Sequence, residues 1–199
     1  MLIEINNKKI LFIHITKTGG TSIENFFCDL LKIDNFKWPN FYPKYLWGRL
    51  FSNNNSLCYQ HFTMKEIFDE YKLLKIKDID FIFTVIRDPL ERYKSELNAK
   101  YSAGDIYGKN LKDFSKNHEL LSHARDQYSY FKDYEDKINI YRFEQGLQNI
   151  VNDVCKKNNI DTYLKIEHRN KAQLKKKISK KQIIYAKKFY KIDYLHLPY

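Results

Sequence analysis

Three groups of residues in this 199-residue chain have the types and spacing that chemistry needs. The first is Lys17-Thr18-Gly19-Gly20-Thr21-Ser22, which joins the apolar run Ile10 to Ile15 to Ile23, Phe26, Phe27, Leu30 and Leu31 at helical spacing. That order reads as a buried strand, a tight turn and a helix. Amide groups at a helix N-terminus carry partial positive charge, and two glycines let a phosphate approach the backbone, so the loop reads as an anion cradle. Lys17 precedes the glycine pair, so this is not the G-x-x-x-x-G-K-[ST] loop. The second group is Arg87 with Ser95. Asp88 and Pro89 open a helix on which Ser95 lies only about 9 Å along the axis, so guanidinium and hydroxyl can share one phosphate. The third is His61, followed at once by Thr63 and Glu66 in capping-box spacing.

The elements that must position these groups follow from periodicity. Leu57 to Phe62 reads as a short strand ending near His61, and Phe81 to Ile86 as a central strand buried on both faces. Asp88 caps the helix that Pro89 begins, with Glu91 in position to complete a second capping box, and Leu90, Tyr93, Leu97 and Tyr101 continue it. A helix is expected around His118 to Tyr130, where His118 and His123 read as solvated positions. Lys137 to Glu144 reads as another strand, followed by a helix through Leu147, Ile150, Val151 and Val154. Ser179 and Gln182 open a last helix through Ile183, Ala186 and Tyr190. Residues 32–56 lack sustained periodicity and read mostly as loop, its aromatics between 36 and 47 either pinning it to the core or stacking on an acceptor.

The length suits one domain, 1–199, with a substantial core. Thirty-five basic against 24 acidic residues, net +11, favours polyanionic partners without choosing among them. Cys28, Cys58 and Cys155 fit no zinc spacing and read as core residues. There is no signal-peptide pattern and no membrane-length apolar run, so a soluble, cytoplasmic protein is expected. The lysines at 175–177 and 180–181 read as a solvated face.

With these segments in order, the chain resembles the sulfotransferases that use 3′-phosphoadenosine 5′-phosphosulfate (PAPS), in particular the heparan sulfate and related carbohydrate group. The resemblance rests on the F-I-H-I-x-K-T-G-G-T-S start, Gln60-His61, Val85-Ile86-Arg87-Asp88-Pro89 with Arg92 and Ser95, Arg142-Phe143-Glu144, and His168 to Lys171. It implies an α/β, P-loop-like three-layer fold with a central, mainly parallel sheet and helices on both faces. It also implies transfer of a sulfuryl group from PAPS to a hydroxyl acceptor of carbohydrate type, without a metal. Lys17 and the amides of Thr18, Gly19, Gly20, Thr21 and Ser22 would hold the 5′-phosphosulfate, and Arg87 with Ser95 the 3′-phosphate. His61 would be the general base. Arg92, Arg169 and Lys171 are further candidates for the nucleotide, His14 is a rival to His61, and Glu144 is a candidate to orient a base or hydroxyl. A P-loop-type nucleotide or small-molecule kinase would need a lysine after the glycines. A nucleic-acid-binding module has charge in its favour but no recognisable motif, so no nucleic-acid partner is expected. A binding-only relative would not need Lys17, His61, Arg87 and Ser95 together.

Overall fold

The computed structural model describes residues 1–37, 40–52, 55–102, 123, 125–167 and 178–199, the side chains of 51–52, 55–56 and 99–102 excepted. Arg169, Lys171, His118 and the lysines at 175–177 lie outside the described residues.

Four strands form the central sheet: β1 (Leu2–Ile5), β2 (Lys8–Ile13), β5 (Phe81–Ile86) and β6 (Asn139–Arg142), in the order β1-β2-β5-β6. β1 and β2 are an antiparallel hairpin turned at Asn6 and Asn7, both at positive φ, where asparagine is tolerated. β2, β5 and β6 run parallel, with Ile13 beside Thr84 and Ile86 beside Arg142. The carboxyl ends of these three strands, and the loops that leave them, therefore share one edge of the sheet, where α/β folds gather ligands.

Side chains alternate across the sheet. Ile10, Phe12, Phe83, Val85 and Tyr141 face one core, packed against α1 (Gly20–Leu30) and α3 (Leu147–Lys157). Leu11, Ile13, Ile82 and Ile86 face the other, covered by Phe62, Met64, Ile67, Tyr130 and Phe131. The expected three layers are present, and among the described residues the second face is covered mainly by short turns. These are a π-helical turn at Glu66–Glu70 and 3-10 turns at Tyr59–His61 and Tyr128–Tyr130. The helix α2 (Pro89–Ser102) instead packs its Tyr93 and Leu97 on Ala186 and Tyr190 around α4 (Lys180–Phe189), which α5 (Lys191–His196) follows.

Two local expectations are corrected. The strand expected at Leu57 to Phe62 ends at Cys58 and belongs to a separate hairpin, β3 (Arg49–Ser52) with β4 (Asn55–Cys58), so His61 leaves a 3-10 turn rather than a strand end. The segment at 32–56 therefore contains a strand too short to show alternation. Its aromatics pin it down: Phe36 lies against Tyr42, Tyr45 and Trp47, and Trp47 is part of the main core. Cys28, Cys58 and Cys155 are all buried, in keeping with their reading as core residues.

Candidate functional site

The loop after β2 is shaped by contacts on its inner side. Thr18 donates its hydroxyl to the Ile15 carbonyl at 2.8 Å, closing the turn, and Lys17 takes a positive φ of 65°. Gly19 caps α1 at φ 88°, where a Cβ would press on Leu147 and Phe143. A Cβ on Gly20 would come closer than 3.0 Å to three atoms of the His14 imidazole, an approach that Cβ atoms do not make. Both glycines thus have a packing reason that the sequence did not disclose. α1 has no side-chain cap and no acidic residue in its first turn, so no side chain of that turn neutralises its leading amides and positive dipole end.

Basic groups converge on this loop. Arg87 donates from Nη1 to the Lys17 carbonyl at 3.3 Å and lies 4.5 Å over the Phe143 ring. Burial pulls the Lys17 pKa below its usual range, Glu96 opposing this and Arg87 and Arg92 adding to it. Gln127 clamps the main chain of Arg87 through two 2.8 Å bonds, and the buried Asp193 of α5 accepts from the Gln127 amide at 2.7 Å. Ser95 is half-buried on α2, with no side-chain hydrogen bond to other described residues. Arg92 is fully buried; its Nε and Nη2 bond Thr16 and its Nη1 the Arg125 carbonyl, each at 2.9 Å, which places it as a brace behind the loop.

Asp88 caps α2 as expected, its Oδ1 accepting from the Glu91 amide at 2.8 Å. The reciprocal half of that box is not made by Glu91, which pairs with Lys94. The Asp88 amide donates instead to Glu144 Oε1 at 3.0 Å, and Glu144 also accepts from the Tyr199 hydroxyl. Glu144 thereby ties the end of β6 to the start of α2. The Thr63 and Glu66 box forms both its bonds, and Glu66 additionally holds Arg125 through two contacts of 2.9 and 3.0 Å.

Histidines line the site from three segments. His14 is buried, its Nδ1 2.8 Å from Glu24 Oε1, while the Gln60 amide bridges to both. His61 donates Nδ1–H to the His14 carbonyl at 3.0 Å, which leaves Nε2 as a lone-pair acceptor. Burial holds the His61 pKa well below the ordinary histidine range, and the neighbouring His14 and His123 push it the same way, so the ring is neutral near pH 7. His123 is not a solvated helix position. Its Nδ1 bonds Glu96 at 3.0 Å and its ring stands edge-on to His61, with centroids 5.9 Å apart. Sequence reasoning misses Glu24, Gln127 and Asp193 as partners and offers Glu96 to Arg92 rather than to His123; the detectable signal is a carboxylate inside an apolar helical stripe, as Glu24 is between Ile23 and Phe27. Among the described residues, no group of three or more His, Cys, Asp or Glu side chains is disposed to hold a metal, and no helix is long and apolar enough to cross a membrane.

The sequence profile described as the sulfotransferase family matches residues 2–160, about four fifths of the chain. The chain belongs to the sulfotransferase family. No curated protein and no solved structure matches it significantly. The sulfotransferase match takes in the whole central sheet, the Lys17 loop, Gln60-His61, Arg87 to Ser95 and Glu144, and ends before α4. The protein is accordingly a transferase of sulfuryl groups with an α/β sheet of mostly parallel strands flanked by helices.

Proposed function

We propose that this sulfotransferase moves the sulfuryl group of PAPS to a hydroxyl of a carbohydrate-type acceptor, with His61 as the general base, as in the heparan sulfate group that it resembles. The observation that carries the reading is the orientation of His61. Its Nδ1–H is fixed on the carbonyl of His14, three residues before Lys17 in the chain, and its Nε2 belongs to a neutral ring. A base needs its lone pair available and its proton-bearing nitrogen held, and this ring has both.

The residues present fit the donor. The α1 amides without a capping side chain and the Lys17 ammonium offer donors to a 5′-phosphosulfate, and Arg87 with Ser95 offers a charged and a neutral donor to a 3′-phosphate. When bound, PAPS supplies an activated sulfuryl group on a phosphate leaving group. Lys17 and the loop amides stabilise negative charge on the phosphate side, with no solvent reorganisation because the fold fixes them. Arg87, stacked on Phe143 and clamped by Gln127, fixes the adenosine end and hence the line of approach. His61 takes the acceptor proton at Nε2.

Calorimetric titration with adenosine 3′,5′-bisphosphate and with ADP, with and without Mg²⁺, tests the donor reading. Tight, metal-independent binding that requires the 3′-phosphate is expected. Preference for ADP with Mg²⁺, or no binding of either, overturns it.

A further inference from the structure

His61 is 9 % exposed, so a proton taken up on its Nε2 needs a route out before the ring can act again. Among the described residues, the rings of His14 and His123 adjoin it. His14, edge-on with centroids 4.6 Å away, is closed on both sides, its Nδ1 held by Glu24 and Gln60 and its Nε2 edge lying against Gly20. His123 differs. Its side chain is 30 % exposed, and its Nδ1 is bonded to the Glu96 carboxylate, itself only 6 % exposed. With Nδ1–H donated to Glu96, Nε2 is the atom of His123 that can receive a proton.

We infer that His123, held by Glu96, is the proton exit of this site, relaying to solvent the proton that His61 removes from the acceptor. The inference rests on the reading of His61 as base. The acceptor O–H bond breaks with its electron pair left on oxygen, which forms the new S–O bond as the bond from sulfur to the phosphate oxygen of PAPS breaks and its electron pair leaves with adenosine 3′,5′-bisphosphate. The proton passes to His61 Nε2, then to His123 Nε2, and leaves to water or buffer, restoring both neutral rings with no change in oxidation state. Among the described residues, the charged and titratable groups around the pair include His14 and Glu24 on the β2 and α1 side, the N-terminal ammonium of Met1, and Glu96 from α2, which also faces Lys17. Burial makes the His61 imidazolium a ready proton donor, which favours passage outward. His123 is a positioning and relay residue, since its contact is with His61.

The test measures release of adenosine 3′,5′-bisphosphate from PAPS in weak buffer, with a mixture of simple sugars and with water alone as acceptor. Variants are His123→Ala, His123→Gln, Glu96→Gln and His61→Ala. His123→Ala should lower kcat about tenfold at unchanged KM for PAPS, and millimolar imidazole should restore it, because a mobile base replaces a relay. A wild-type kcat for His123→Ala, or a loss shared by His123→Gln that imidazole does not restore, overturns the relay. Normal turnover in His61→Ala overturns the base reading instead. Independently of turnover, ¹⁵N spectra of the ring nitrogens at alkaline pH should show the Nδ1–H tautomer at His123; the Nε2–H tautomer there overturns the relay.

Discussion

Replacing Gly20 by alanine sets two physical effects against each other. Gly20 is the first residue of α1 and does not have a positive φ, so helix propensity alone predicts that alanine stabilises by about 0.5 to 1 kcal/mol. The new Cβ, however, must occupy space held by the His14 imidazole. That ring cannot simply turn away. Its Nδ1 is tied to Glu24 and Gln60, it lies parallel to Phe12 at 5.6 Å, and its edge meets His61. Overpacking of a full core costs about 1 to 3 kcal/mol, and loss of a hydrogen bond to a carboxylate about 1.5 to 3 kcal/mol more if His14 is expelled. The net expectation is a loss of about 2 to 4 kcal/mol, opposite in sign to propensity. Urea unfolding followed by tryptophan fluorescence measures it. In the double variant with His14→Ala the clash disappears, so the Gly20→Ala cost should shrink to below about 1 kcal/mol. A Gly20→Ala protein as stable as wild type, or equal costs of the substitution with and without His14, would refute the reasoning.

His61→Ala should lower kcat by about two to four orders of magnitude while affinity for adenosine 3′,5′-bisphosphate changes little, as turnover and calorimetry would show together. Because the folded ring titrates well below 6.5 and the unfolded one near it, the unfolded chain binds the extra proton as pH falls past 6.5. This group's stability contribution is therefore present above 6.5 and lost below it, a pH dependence that His61→Ala should reduce in urea unfolding from pH 5 to 8. Arg87→Ala should weaken adenosine 3′,5′-bisphosphate by about 1.5 to 3 kcal/mol, and unchanged affinity would place the 3′-phosphate elsewhere. Asp193 has the opposite sign: burial raises its carboxyl from 3.8 to about 6, so the folded protein binds a proton first and this group favours folding increasingly as pH falls through 6. The stability of wild type relative to Asp193→Asn should rise by up to about 3 kcal/mol between pH 7.5 and 4, and a constant difference would contradict the assignment.

The sequence by itself determined whatever is decided by neighbours in the chain. Phe81 to Ile86 is the strand that its mostly apolar run describes, and α1 begins at Gly20, one turn before the apolar period that starts at Ile23. Thr63 with Glu66 and Ser179 with Gln182 close capping boxes because both bonds span only three residues. The sulfotransferase membership lies in the same local strings. Only the tertiary structure decided the rest. Capping-box spacing offered only Glu91 to the Asp88 amide, and the parallel pairing of β5 with β6 brought Glu144 to it instead. His123 met Glu96, 27 positions away, and His61 met the carbonyl of His14, 47 positions away. A side chain's partner across such distances depends on how the sheet orders its strands. No period or cap in the sequence carries that information, and that order is what turned an apparently solvated histidine into part of the site.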